Sequence, residues 1–146
     1  MMLKNKIKIL FRHRSMEMGG VEKVLLSMLN NLNREKFDLR LCLNLFQGEL
    51  RNEIPDFVDV KALAKGKEDF SKNPIINKIQ LVTRAVKLWF FRKFPIIPDQ
   101  FILKNDADVE IATGYTMFSD VLNSSNRKSK KIGWFHSDIT YPKLPP

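Results

Sequence analysis

A chain of 146 residues that is 44% hydrophobic and 28% charged, with six glycines and seven prolines, has the makeup of an ordinary folded domain, not a disordered or fibrous one. The single Cys42 excludes an internal disulfide framework and a thiolate metal cluster, and it fits a reducing cytosol. A net charge of +9 favours polyanionic partners: nucleic acid, anionic lipid or a phosphorylated ligand.

In the opening MMLKNKIKILFRHR, Lys6 and Lys8 interrupt the apolar run, so no signal-peptide core is expected. No segment approaches the roughly 18 to 20 apolar residues of a spanning helix. IKILF, residues 7–11, reads as a strand buried on both faces. After Gly19 and Gly20, Val21, Val24, Leu25, Met28, Leu29 and Leu32 fall on one stripe of a helix. FDLRLCLNLF, 37–46, alternates at period two and predicts a second strand, less buried on one face. Residues 49–54 predict a helical turn stopped by Pro55, and FVDVKAL, 57–63, a third strand.

Residues 65–71 read as loop, followed by a long helix with Asn73 as N-cap and Pro74 at its first position. Its core stripe is expected to be Ile75, Ile79, Val82, Val86 and Trp89. Its outward face is then Leu81, Leu88 and Phe91 interleaved with Arg84, Lys87 and Arg92. A further helical piece after Pro98, a strand at 107–114, a short helix at 118–123 and a last strand at 130–137 complete the chain. NRKSKK, 126–131, reads as a solvated loop, with phosphate binding as the minority reading.

Strands alternating with helices predict an α/β, Rossmann-like three-layer domain with a mostly parallel sheet. In such sheets ligands sit outside the carboxyl ends of the strands. Those ends carry His13, Arg14, Gly19 and Gly20, then Gly114 and Tyr115, then His136 and Ser137, which include both histidines of the chain. The glycine pair suits either an anion held by helix-start amides or a plain strand-to-helix turn. No G-x-G-x-x-G or P-loop pattern occurs, which disfavours NAD binding and P-loop NTPase chemistry. His136 suits a hydrogen bond to substrate or proton transfer, or it merely caps a strand. Two histidines without clustered acids or thiols make a poor metal site, so no metal cofactor is expected.

MGGVEKVLLSMLNNL, FDLRLCLNLFQGELRNEI, NDADVEIATG and KKIGWFHSDI, spanning 6–139, together resemble the amino-terminal lobe of family 4 (group 1) glycosyltransferases of the GT-B fold. The Gly-Gly-x-Glu helix start and the Gly-Trp-Phe-His strand are the most specific parts. Residues 65–105 match in architecture alone.

The resemblance implies a retaining sugar transfer from a nucleotide-sugar donor to a glycan or lipid-linked acceptor, with no metal. It also implies that Gly19, Gly20, Arg14, His13, Glu22, Gly114 and Ser137 lie near substrate or diphosphate, and that His136 faces the transferred sugar. Residues 1–146 would be a single, truncated acceptor-side lobe, inactive alone, without the carboxyl-terminal donor lobe and its paired glutamates. The expected location is cytoplasmic, peripheral on the membrane face, with Arg84, Lys87, Arg92 and Phe91 against anionic lipid. The competing expectation is a non-catalytic basic module for anionic lipid or another polyanion. No helix-turn-helix, zinc or RNP-like signature supports specific nucleic-acid binding.

Overall fold

The computed structural model describes residues 5–136. Its strands are β1 (Ile7–His13), β2 (Phe37–Phe46), β3 (Asp59–Lys65), β4 (Val109–Ala112) and β5 (Lys130–Gly133). The α-helices are α1 (Gly20–Asn31), α2 (Pro74–Lys93), the single turn α3 (Ile96–Pro98) and α4 (Phe118–Leu122). Five strands make one sheet in the order β3-β2-β1-β4-β5, and every pairing is parallel. The chain steps outward from β1 to β3, then returns through α2 to the other side of β1. The reversal point therefore lies between β1 and β4.

Residue alternation along the strands divides the core between two faces. Ile9, Phe11, Leu39, Leu41 and Leu43 pack against Leu25, Leu26 and Leu29 of α1. Leu10, Cys42 and Leu63 point the other way and meet Leu103 and Ala107, with Leu88 and Phe91 of α2 against them. Burial of the α1 leucines, two of them fully, stabilises the domain by about 1.5–3 kcal/mol each. Burial pushes the Cys42 thiol up to about 12, which leaves it an inert core group.

Asn73 caps α2, its Oδ1 accepting from the Ile75 amide at 3.0 Å, as the sequence predicts. The faces of α2, however, are reversed. Ile75, Ile79, Val82, Val86 and Trp89, the expected core stripe, are 58–71% exposed. Leu88 and Phe91, expected outside, pack on the sheet. Arg84 turns inward with them: its Nη1 donates to Gln47 Oε1 (3.3 Å) and the Lys65 carbonyl (3.4 Å), and its guanidinium lies over Phe70. Of the expected lipid-facing group, only Lys87 stays fully outward; Arg92 is exposed but leans toward Asp120, with its Nε 3.8 Å from Oδ1.

Smaller corrections follow from where the ladder ends. β3 starts two residues later than expected and continues to Lys65, and β5 stops at Gly133. The 126–131 segment is not simply solvated, because Lys131 folds inward onto Glu110.

Candidate site at the carboxyl edge of the sheet

Both histidines converge on Thr113, the residue after β4. His13, the last residue of β1, has Nδ1 2.6 Å from Thr113 Oγ1 and Nε2 3.0 Å from Glu22 Oε1 in the first turn of α1. His136 Nε2 lies 2.6 Å from the Thr113 carbonyl. Local packing explains the second approach: Trp134 donates its amide to the Ala112 carbonyl (2.9 Å), stacks at a tilt on Phe11, and meets the His136 ring edge-on.

These contacts constrain the protons. A carbonyl only accepts, so His136 donates from Nε2, and in the neutral ring its Nδ1 is an acceptor with no partner among the described residues. His13 is buried, and that burial depresses its pKa below the usual histidine range, although Glu22 opposes the shift. In neutral His13, Nε2–H donates to the Glu22 carboxylate and Nδ1 accepts from the Thr113 hydroxyl. On protonation, Nδ1–H donates to that hydroxyl instead, and the hydroxyl turns to the Arg12 carbonyl, 2.9 Å away.

The glycines beside these groups are not demanded by backbone strain. Gly19, Gly20 and Gly114 all avoid the left-handed region. A Cβ on Gly20 or Gly114 would meet nothing within 4 Å among the described residues, whereas one on Gly19 would press on the Glu22 carboxylate. Lys23 makes the first amide bond into α1, to the Gly19 carbonyl. The preceding helix-start amides therefore lack helical partners. Met18, Tyr115 and Phe135 stand 49–61% exposed along the same edge, a rim of large apolar groups of which sequence reading placed only Tyr115 there.

The structure thus brings together His13, Glu22, Gly19, Gly20, Gly114 and His136. Arg14 is separated from them: one residue past His13, it turns to the α2 face. Ser137 lies outside the described residues. Among the described residues, no group of three or more histidine, cysteine or acidic side chains is placed to hold a metal ion. No helix among them is long and apolar enough to cross a membrane.

Beneath the site, on the α2 face, lies an ion network that sequence reading missed. Arg12 Nη2 donates to Asp99 Oδ1 (2.6 Å) and Glu110 Oε1 (3.1 Å), all three residues being at most 5% exposed. Lys131 and Ser129 bond the other Glu110 oxygen, and Ser125 donates its amide and hydroxyl to Asp99 Oδ2. Burial would raise both carboxyls. The Arg12 charge and these hydrogen bonds outweigh it and hold both below the usual carboxylate range. The visible signal was one charge inside each apolar strand, Arg12 in ILFRH and Glu110 in DVEIA.

No protein-family profile matches this sequence, and no curated protein is detectably similar to it.

Proposed function

We propose that this domain is the acceptor-side lobe of a retaining glycosyltransferase, acting on a glycan or lipid-linked acceptor at the cytoplasmic membrane face. The supporting observation is the convergence of His13, Glu22, Thr113 and His136 beside open backbone at Gly20 and Gly114, where the strand order reverses between β1 and β4. That is where parallel α/β sheets take ligands. Sugar transfer builds negative charge on a departing diphosphate. The helix-start amides at Gly20 and Val21 can oppose that charge at close range, because Gly20 has no side chain in the way. His136, donating through Nε2 to Thr113, offers Nδ1 to a sugar hydroxyl and orients it. His13 and Glu22 hold the helix start against β1, so the amides and His136 keep one geometry. The nucleotide-sugar is substrate in this reading, and no metal takes part.

The test is transfer of labelled sugar from a panel of nucleotide-sugars by the native gene product, beside its Gly20→Val variant. Transfer that falls at least tenfold in the variant, with the thermal transition unchanged, supports the reading. Wild-type turnover in Gly20→Val sinks the role of the glycine loop. Absence of transfer from every donor sinks the enzyme reading.

A second reading, a non-catalytic module on anionic lipid, draws on the outward face of α2. That helix exposes Ile75, Ile79, Val82, Val86 and Trp89, and its twenty residues include no acid.

A further inference from the structure

A cavity of about 660 Å³ opens at the carboxyl edge of the sheet on the α2 face, between α2 and the segment that carries α4. Its wall carries both guanidinium and apolar groups. Arg14, Arg84 and Arg92 line it, against a single carboxylate, Asp120. Arg14 is exposed, and its guanidinium makes no ion pair or hydrogen bond among the described residues. Arg84 bonds only neutral acceptors, and Arg92 Nε stands 3.8 Å from Asp120 Oδ1. Arg12, in the same wall, is engaged by Asp99 and Glu110, yet its Nε is buried without a partner among the described residues, as is Asp120 Oδ2. The apolar lining comes from Leu81, Leu88, Trp89 and Phe91, interleaved with Arg84 and Arg92 along α2. Trp89 is 60% exposed at the rim, where the cavity runs into the outward stripe of α2.

A guanidinium excess calls for an anion with several acceptor oxygens, which a phosphate supplies and which arginine binds in pairs. Phosphate alone leaves the apolar lining uncovered, and a cavity of several hundred Å³ holds a larger body. We propose that this cavity binds a phosphate ester on an apolar body, its phosphate between Arg14 and Arg84 and its chain leaving past Trp89. The ester is either a lipid in a bilayer or a soluble apolar phosphate. The binding claim stands without sugar transfer; that the bound amphiphile is the acceptor rests on the transferase reading.

The experiment measures binding to the whole chain of farnesyl phosphate, farnesol and inorganic pyrophosphate in solution. It also measures binding to phosphatidylcholine vesicles with and without phosphatidic acid. The proposal expects farnesyl phosphate to bind at least tenfold more tightly than farnesol or pyrophosphate. Arg14→Gln/Arg84→Gln should weaken it by tenfold or more. Lys128→Gln/Lys130→Gln, an equal charge change at the far end of β5, should leave it unchanged. Arg14→Gln alone, which removes no ion pair or hydrogen bond among the described residues, keeps the test valid if the double variant unfolds, and should weaken binding several-fold. Binding of phosphatidic acid vesicles with the same dependence assigns the source to a membrane lipid; binding of farnesyl phosphate alone assigns it to a soluble ester. Equal binding of farnesol or of pyrophosphate, or equal losses in both double variants, overturns the proposal. Loss of sugar transfer with intact farnesyl phosphate binding would count against the transferase reading and leave the cavity assignment standing.

Discussion

His13 and Glu22 are nine residues apart and meet at 3.0 Å, Nε2 to Oε1, which fastens the end of the central strand to the start of the helix that follows it. Glu22 is the main influence raising the His13 pKa against its burial. Replacing the carboxylate by an amide, Glu22→Gln, should move the His13 titration further down. Proton NMR of the His13 ring through a pH series reads this directly, and an upward move would contradict the pairing.

Stability should depend on pH in two stages. His13 binds a proton less readily folded than unfolded, so its contribution is complete above about pH 6.5 and is lost as pH falls toward its depressed folded value. Asp99 and Glu110 are held low in the fold, so their contribution is present above their ordinary values and lost as pH falls through the lowered ones. Urea midpoints measured from pH 8 to pH 3 should be level, then decline below pH 6.5, then drop more steeply below about pH 4.5.

Removing one member of the buried ion network leaves the others charged and dry. Arg12→Met should destabilise the domain by about 3–5 kcal/mol, measured by urea unfolding at pH 7. A loss below 1 kcal/mol would mean that Asp99 and Glu110 are satisfied without it.

The reversed orientation of α2 has a mutational signature. Leu88→Ala should cost about 1–2 kcal/mol, since Leu88 packs partly buried on Leu10, Cys42 and Leu63. Val82→Ser, on the 64% exposed side, should change stability by less than about 0.5 kcal/mol. The opposite order in thermal unfolding would restore the stripe expected from sequence.

Two glycines should behave differently. Gly48 has φ +105°, and a Cβ there would collide with the Met16 backbone, so Gly48→Ala should cost more than about 1 kcal/mol. Gly20→Ala meets open space in a helical position and should leave stability unchanged or raise it by up to about 1 kcal/mol. A large loss from Gly20→Ala would make that glycine a folding residue.

The parallel sheet and α1 were legible because each carries one dominant signal: 37–46 alternates except at Cys42 and Phe46, and most α1 apolar positions form one stripe, although Val24 on it is exposed and Leu26 beside it is buried. α2 carries two. Ile75, Ile79, Val82, Val86 and Trp89 make one apolar face, while Leu81, Leu88 and Phe91 make another, and helical periodicity cannot choose between them. The choice is made by tertiary contacts from Gln47, the Lys65 carbonyl and Phe70 to Arg84. Thr113 was missed for a related reason. Its role arises from the register of β1 beside β4, Arg12 opposite Ala112, which joins residues about a hundred positions apart. His13 was placed correctly at the edge, but its partner Glu22 lies across a turn whose geometry spacing alone does not specify.

The central position of β1 has a consequence for synthesis. Arg12 leaves the ribosome long before its acids do, since Glu110 follows 98 residues later. At roughly 5–20 residues per second that is an interval of about 5–20 s. During it β1 has neither β4 nor its counter-charges, and the guanidinium stays hydrated at one end of the apolar run Ile9, Leu10 and Phe11, with Lys8 at the other end. Cations at both ends of that apolar run hinder premature pairing with other nascent chains. The same side chain that later anchors the folded core thus first protects the unfinished chain from its neighbours.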